Sequence, residues 1–281
     1  YQGVLGKFLY SVGTVSTKNP DRDKIILHDL ITGDYDWMIY PEGSMIKSKE
    51  IKKGEGFVNY TPDRIGRVRT GSAILALKSE IYRKEIIDGF KKGDSEGLQD
   101  LKKKTDVQFQ ESLMGKQTQI VPVNITYYPI RPGNNHIKTL VLKMVKKIPR
   151  QVAEELEIEG NLLLDAEINI NFGKAINVAD YIKDQCNVIY KIPLIKKETK
   201  SSLVLKYFKH RLTVNFMKKV YCDVQINLDH IFGAVLYHMK KDEITINHLK
   251  RVIYVSARMI EGCGKYRINK SIEEENLVKI F

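Results

Sequence analysis

The sequence predicts an α/β protein, a mixed sheet flanked by helices and followed by a small helical domain. Three observations carry this prediction. Short β-branched and apolar runs alternate with helix-period segments up to about residue 190. Beyond that point the apolar spacing is helical, over Leu203–Val220, Leu228–Met239 and Ile246–Ile260. The length, 281 residues, suits one α/β core with a smaller unit appended, because single cores stop growing near ~250–300 residues. The expected domains are 1–190 and 191–281.

In chain order, Gln2–Val12 places Val4, Leu5, Phe8, Leu9 and Val12 on one helical face. That face, beside Lys7, suits an interfacial helix and equally a core-packed one. Gly13–Thr17 is short and β-branched and reads as a strand. Asp21–Ile31 reads as a helix, opened by Pro20 and Asp21 and closed at Gly33. Asp36–Tyr40 is a compact strand ended by Pro41-Glu42-Gly43. Residues 47–69 carry Lys, Arg and Gly with little periodicity, so a basic loop is expected, then a helix from about Thr70 to Ile87. The charged stretch 88–117 predicts a surface helical excursion. Ile120–Tyr127 reads as a strand whose Pro122 implies an edge or a bulge. A strand over Leu140–Val145, a helix over Val152–Ile158 and a strand over Asp165–Phe172 stopped by Gly173 complete the first unit.

Apolar residues make up 43% and charged residues 28% of the chain, which excludes wholesale disorder. No apolar run reaches the roughly 18 residues needed to cross a bilayer. Cys186, Cys222 and Cys263 are odd in number and lack metal-ligand spacing, which favours a reduced, cytoplasmic setting with no metal. The net charge of +12 attracts polyanions: anionic headgroups, phosphorylated substrates, nucleic acid or an acidic carrier protein. A Lys-, Ile- and Asn-rich composition bias is the plain alternative.

The segment Trp37-Met38-Ile39-Tyr40-Pro41-Glu42-Gly43-Ser44 runs an apolar stretch into a turn bearing a carboxylate. Strand mouths are where ligands dock in α/β folds. Pro41 stiffens the exit, Gly43 lets backbone approach a ligand, and Ser44 supplies a hydroxyl. An ordinary strand-ending turn has the same composition. Gly13-Thr14-Val15-Ser16-Thr17 precedes this segment, and Thr70-Gly71-Ser72-Ala73-Ile74-Leu75-Ala76-Leu77 and Val121-Pro122-Val123-Asn124-Ile125 follow it.

In this order the four segments resemble blocks two to four of the glycerol-3-phosphate and lysophosphatidic acid acyltransferase family. Asn171-Phe172-Gly173-Lys174-Ala175-Ile176 is similar to that family's closing strand. The resemblance covers about residues 1–182 and implies a glycerol-3-phosphate acyltransferase-like fold. It implies transfer of a fatty acyl group from acyl-ACP or acyl-CoA to 1-acyl-glycerol-3-phosphate, or to glycerol-3-phosphate, without cofactor. Glu42 and Gly43 are then the catalytic-site residues of the chain, with Pro41 and Ser44 at the substrate. Met45 and Ile46 stand where the family usually has Arg and Ser, and Asn19, or Lys18, stands where it has a second Arg. Lys18, Lys47, Arg64, Arg67 and Arg69 are therefore the candidates for the phosphate, with a solvated basic loop as the plain alternative.

The family's His-x-x-x-x-Asp block, which holds the general base, matches none of the six histidines. It is expected upstream of Tyr1. The same resemblance implies a peripheral protein on the inner, cytoplasmic face of an anionic membrane. The competing readings are a non-catalytic lipid-binding relative and a nucleic-acid-binding protein. The nucleic-acid reading is disfavoured, because basic and aromatic residues are not interleaved on a strand platform.

Overall fold

A computed structural model of the chain describes residues 11–42, 48–52, 56–60, 65–128, 167–191, 197–239 and 243–273. It is a mixed helix-and-strand protein, as the α/β expectation has it. Helix α1 (Arg22–Thr32) ends at Gly33, whose φ of 69° is the left-handed cap that only glycine adopts cheaply. Strands β1 (Ser48–Lys52), β2 (Gly56–Tyr60) and β3 (Ile65–Arg67) follow, then α2 (Gly71–Lys92) and α3 (Ser95–Thr105). A 3₁₀ turn over Glu111–Leu113 leads to β4 (Gln119–Ile120) and β5 (Val123–Tyr128). The later elements are β6 (Glu167–Phe172), β7 (Ile176–Asn177), α4 (Val178–Lys191), α5 (Lys197–Cys222), β8 (Gln225–Ile226), α6 (Leu228–His238), α7 (Ile246–Cys263) and β9 (Arg267–Ile268).

The described strands do not join into one mixed sheet. Strands β1, β2 and β3 form an antiparallel three-stranded sheet, and β4–β7, β5–β6 and β8–β9 are separate two-stranded ladders. Of these ladders, β8–β9 alone is parallel. Pro122 explains one separation. It has no N–H to donate, so the run that reads as one strand splits into β4, paired with β7, and β5, paired with β6.

Three local expectations are corrected. Gly13–Thr17 is not a strand. Ser16 turns the chain instead: its carbonyl accepts the Asn19 N–H at 3.0 Å and its hydroxyl accepts the Lys18 N–H at 3.2 Å. Such local bonds compete with a ladder. Asp36–Tyr40 joins no ladder among the described strands and is held at Trp37, whose indole Nε1 donates to Asp29 Oδ2 on α1 at 2.9 Å. Within 47–69 the expected loop is the β1–β2–β3 sheet, in register from Ser48↔Tyr60 to Lys52↔Gly56. The strand over Leu140–Val145, the helix over Val152–Ile158 and the amphipathic segment before Val12 lie outside the described residues.

Two cores meet at α2. On one side Ile26, Leu27 and Ile31 of α1 pack with Leu75, Ile86, Leu101 and Leu113. On the other, Ala73, Leu77 and Ile81 pack with Val178, Val204, Leu212 and Phe216. The expected division at residue 190 falls at the end of α4, yet α5 beyond it is built into this second core. A third, smaller cluster of Ile231, Ile253, Ala257 and Ile272 holds α6, α7 and the last 3₁₀ turn together. Fully burying each such aliphatic side chain contributes about 1.5–3 kcal/mol, so these three clusters set the architecture.

Candidate functional site

The turn at Pro41-Glu42 is held from the opposite end of the β-sheet segment. The Arg69 N–H donates to the Pro41 carbonyl at 3.1 Å. Val68, beside it, is buried in the core with Ala73 of α2. The turn therefore sits against the start of α2, the Thr70-Gly71-Ser72 segment. No side chain caps that helix start. The Ser72 Oγ is buried without a hydrogen-bond partner among the described residues. A helix start with its first N–H groups unclaimed by a cap favours an anion. Arg67 and Arg69 are exposed on the approach to it.

The last turn of α5 closes the same region from below. Tyr221 packs against the core cluster that contains Val68 and Ala73. Its phenol is pushed well above its ordinary pKa, first by burial and then by the nearby Glu42 carboxylate. Glu42 itself is half-buried. One residue earlier, the Val220 carbonyl accepts Asn124 Nδ2 of β5 at 3.1 Å. The Asp223 carbonyl, just past the helix, accepts Asn171 Nδ2 of β6 at 3.2 Å. The Gly173 N–H donates to the Pro122 carbonyl at 2.8 Å. A Cβ at Gly173 would have to push the Asp223 carboxylate aside and would lie 3.3 Å from the Pro122 carbonyl, so glycine eases this close approach.

Four sequence segments thus converge on one helix end: Pro41-Glu42, the start of α2, Val121-Pro122-Val123 and Asn171-Phe172-Gly173. Lys18 is not drawn in. It lies exposed in the turn before α1, and no hydrogen bond or ion pair joins it to Pro41 or Glu42 among the described residues. Gly43, Ser44, Lys47 and Arg64 fall outside the described residues. Tyr221 was not legible as a site residue, because nothing in the pattern of α5 marks its tie to Glu42.

His28 sits elsewhere. Its Nε2 is 4.0 Å from Asp34 Oδ2, on an open polar cleft lined also by Lys102, Asp106 and Lys116 but not by Pro41, Glu42, Arg67 or Arg69. Among the described residues no cluster of His, Cys, Asp and Glu could hold a metal ion. No described helix is long and apolar enough to cross a membrane. Compared with protein-family models, with curated proteins and with solved structures, the chain matches none.

Proposed function

We propose that the chain belongs to a peripheral acyltransferase that moves a fatty acyl group from acyl-ACP or acyl-CoA to 1-acyl-glycerol-3-phosphate, making phosphatidic acid. The observation that supports the reading is the convergence at the end of α5. The Pro41-Glu42 turn is bonded by the Arg69 N–H at 3.1 Å, and the uncapped start of α2 follows Arg69 directly in the chain. Arg67, Arg69 and that helix start offer the acceptor's phosphate two guanidinium groups and a set of backbone donors. Glu42, half-buried beside Tyr221, can accept a hydrogen bond from the acceptor's glycerol portion and fix it against the phosphate contacts. In this chemistry a histidine base removes the acceptor's hydroxyl proton, and the resulting alkoxide attacks the thioester carbonyl. The carbon–sulfur bond breaks, and the thiol leaves with a proton. Neither a covalent enzyme intermediate nor a metal is required by that sequence of steps.

The experiment is acyl transfer by the full-length protein, offered 1-acyl-glycerol-3-phosphate and glycerol-3-phosphate in competition, with labelled acyl-ACP or acyl-CoA. The expected product is phosphatidic acid, and Glu42→Ala should reduce its formation by at least ~100-fold at unchanged circular dichroism. Transfer to neither acceptor, or equal rates in a well-folded Glu42→Ala protein, would sink the reading.

A further inference from the structure

Helix α5 has two chemically distinct faces. Val204, Phe208, Leu212, Phe216 and Met217 are buried in the core. Lys206, Tyr207, His210, Arg211, Val214 and Lys218 form the solvent face, each exposed. From Thr199 to Cys222 the sequence holds six Lys or Arg residues and no Asp or Glu. Among the described residues, the carboxylates tied to the helix lie at its ends, with Glu198 in its first turn. Glu85 accepts from Ser201, Glu42 lies beside Tyr221, and Asp223 follows the last turn. Among the described residues no ion pair involves Lys206, Lys209, Arg211 or Lys218. Two of these cations lie over rings instead, Lys206 5.7 Å from the Tyr207 centroid and Arg211 5.8 Å from that of Phe208. The outer stripe from residue 206 to 218 is about 18 Å long at the helical rise.

The other lysine-rich helix is different. On α3, Lys102, Lys103 and Lys104 are offset by Glu96, Asp100 and Asp106, and Lys104 is paired with Asp100 at 2.5 Å. The unneutralised stripe therefore belongs to α5. The stripe also carries an aromatic and an aliphatic side chain: Tyr207 is 57% and Val214 42% exposed. The apolar face of α5 is used by the core, so what this outer face offers an anionic headgroup layer is its clustered cations, each drawn to such a surface by its charge.

We infer that the outer face of α5 is the surface on which the protein lies against an anionic bilayer. The inference deepens the reading proposed above, since both acceptor and product would be amphiphiles reached from that surface. The contact itself is read by binding rather than turnover. Salt screens the cationic attraction with a length of about 8 Å at physiological ionic strength, and the Tyr207 and Val214 contribution persists.

The test is co-sedimentation of the full-length protein with vesicles of phosphatidylcholine alone and of phosphatidylcholine mixed with phosphatidylglycerol. The triple variant Lys206→Glu, Arg211→Glu, Lys218→Glu is compared with Lys91→Glu, Lys92→Glu, Lys103→Glu, which changes net charge equally on α2 and α3. The α5 triple should bind anionic vesicles about 100-fold more weakly than the parent, and the control triple less than about tenfold more weakly. Should the glutamate triple fail to fold by circular dichroism, the glutamine triple at the same three positions replaces it. Equal losses in both triples would reduce the effect to net charge and overturn the inference, as would a parent that binds neither vesicle. An α5 triple that keeps vesicle binding but loses an oligonucleotide or an acidic carrier protein assigns the face to that partner instead and equally overturns it. Glu42→Ala should bind vesicles like the parent. A chain that binds through α5 yet transfers no acyl group overturns the enzymatic reading and leaves the surface standing.

Discussion

Arg83 is 2% exposed, and replacing it with Met isolates what one buried cation does for this fold. Its Nε donates to the Ile31 carbonyl at 3.1 Å, and its Nη2 donates to the Leu30 carbonyl and to Thr118 Oγ1. Its Nη1 pairs with Glu80 Oε2 at 2.5 Å, and that same oxygen accepts the Thr118 N–H at 3.0 Å. One guanidinium thus joins the last turn of α1, the middle of α2 and the approach to β4. Burial pushes its pKa below the usual arginine value while Glu80 pulls it back up, and the group stays charged. Met keeps most of the apolar stem but strands the Glu80 carboxylate and leaves two helix-end carbonyls without this donor. Breaking a buried pair from one side costs about 3–5 kcal/mol. A second variant, Arg83→Met with Glu80→Gln, removes the stranded charge but not the carbonyl deficit, so its loss should shrink to about 2 kcal/mol. Urea unfolding followed by the fluorescence of Trp37, the single tryptophan, measures both. A single variant within about 1 kcal/mol of the parent, or a double variant as damaged as the single, would refute the reasoning.

The remaining expectations concern the acceptor, a helix cap and a close approach. Arg69→Ala removes an exposed guanidinium but keeps the backbone N–H that clamps Pro41, so the acceptor's KM should rise about tenfold with kcat within about threefold. Steady-state kinetics check this, and unchanged KM in both Arg69→Ala and Arg67→Ala removes the pair from phosphate binding. His230 Nδ1 accepts the Asn227 N–H at 3.2 Å, so its cap needs the neutral ring, and burial lowers its pKa. Its contribution is complete above the unfolded value of about 6.5 and declines as pH falls from there through the lowered folded value. Accordingly, His230→Gln should lose less Tm than the parent between about pH 7.5 and 5.5 by scanning calorimetry. Gly173→Val must displace Asp223 and press on the Pro122 carbonyl, for a loss of about 1–3 kcal/mol in urea unfolding, and a neutral result would show that this approach is not tight.

The helices were legible because their apolar residues recur with the helical period and their ends carry chemical marks. Gly33 stops α1, and Asn227 caps α6 by accepting the His230 N–H at 3.1 Å. Helix α4 carried such a mark too. Asn177 Oδ1 accepts the Asp180 N–H at 3.1 Å, but the mixed polarity of Val178–Lys191 hid it. Strands were harder, since pairing is decided by a distant partner. Gly13–Thr17 has strand composition but joins no ladder among the described strands, whereas the Lys- and Gly-rich 47–69 stretch finds its strand partners within itself. The candidate site was legible only as separate segments at Pro41-Glu42, Thr70-Gly71, Val121-Pro122 and Asn171-Gly173. Their meeting point on the last turn of α5 depends on tertiary contacts that no local pattern encodes.

The β5–β6 ribbon holds its sides contrary to habit. Asn124 and Thr126 are buried, while Ile125, Ile168, Ile170 and Phe172 are 39%, 45%, 53% and 67% exposed. A slip of one residue would turn the isoleucines inward, and hydrophobicity alone would favour that slip. What opposes it is a pair of amide side chains that can reach carbonyls only at the end of α5, Asn124 to Val220 and Asn171 to Asp223. The ribbon therefore cannot choose its own alignment. It must wait for a helix that lies later in the chain, so refolding should show the α5 terminus structured before the β5–β6 ribbon becomes protected from hydrogen exchange.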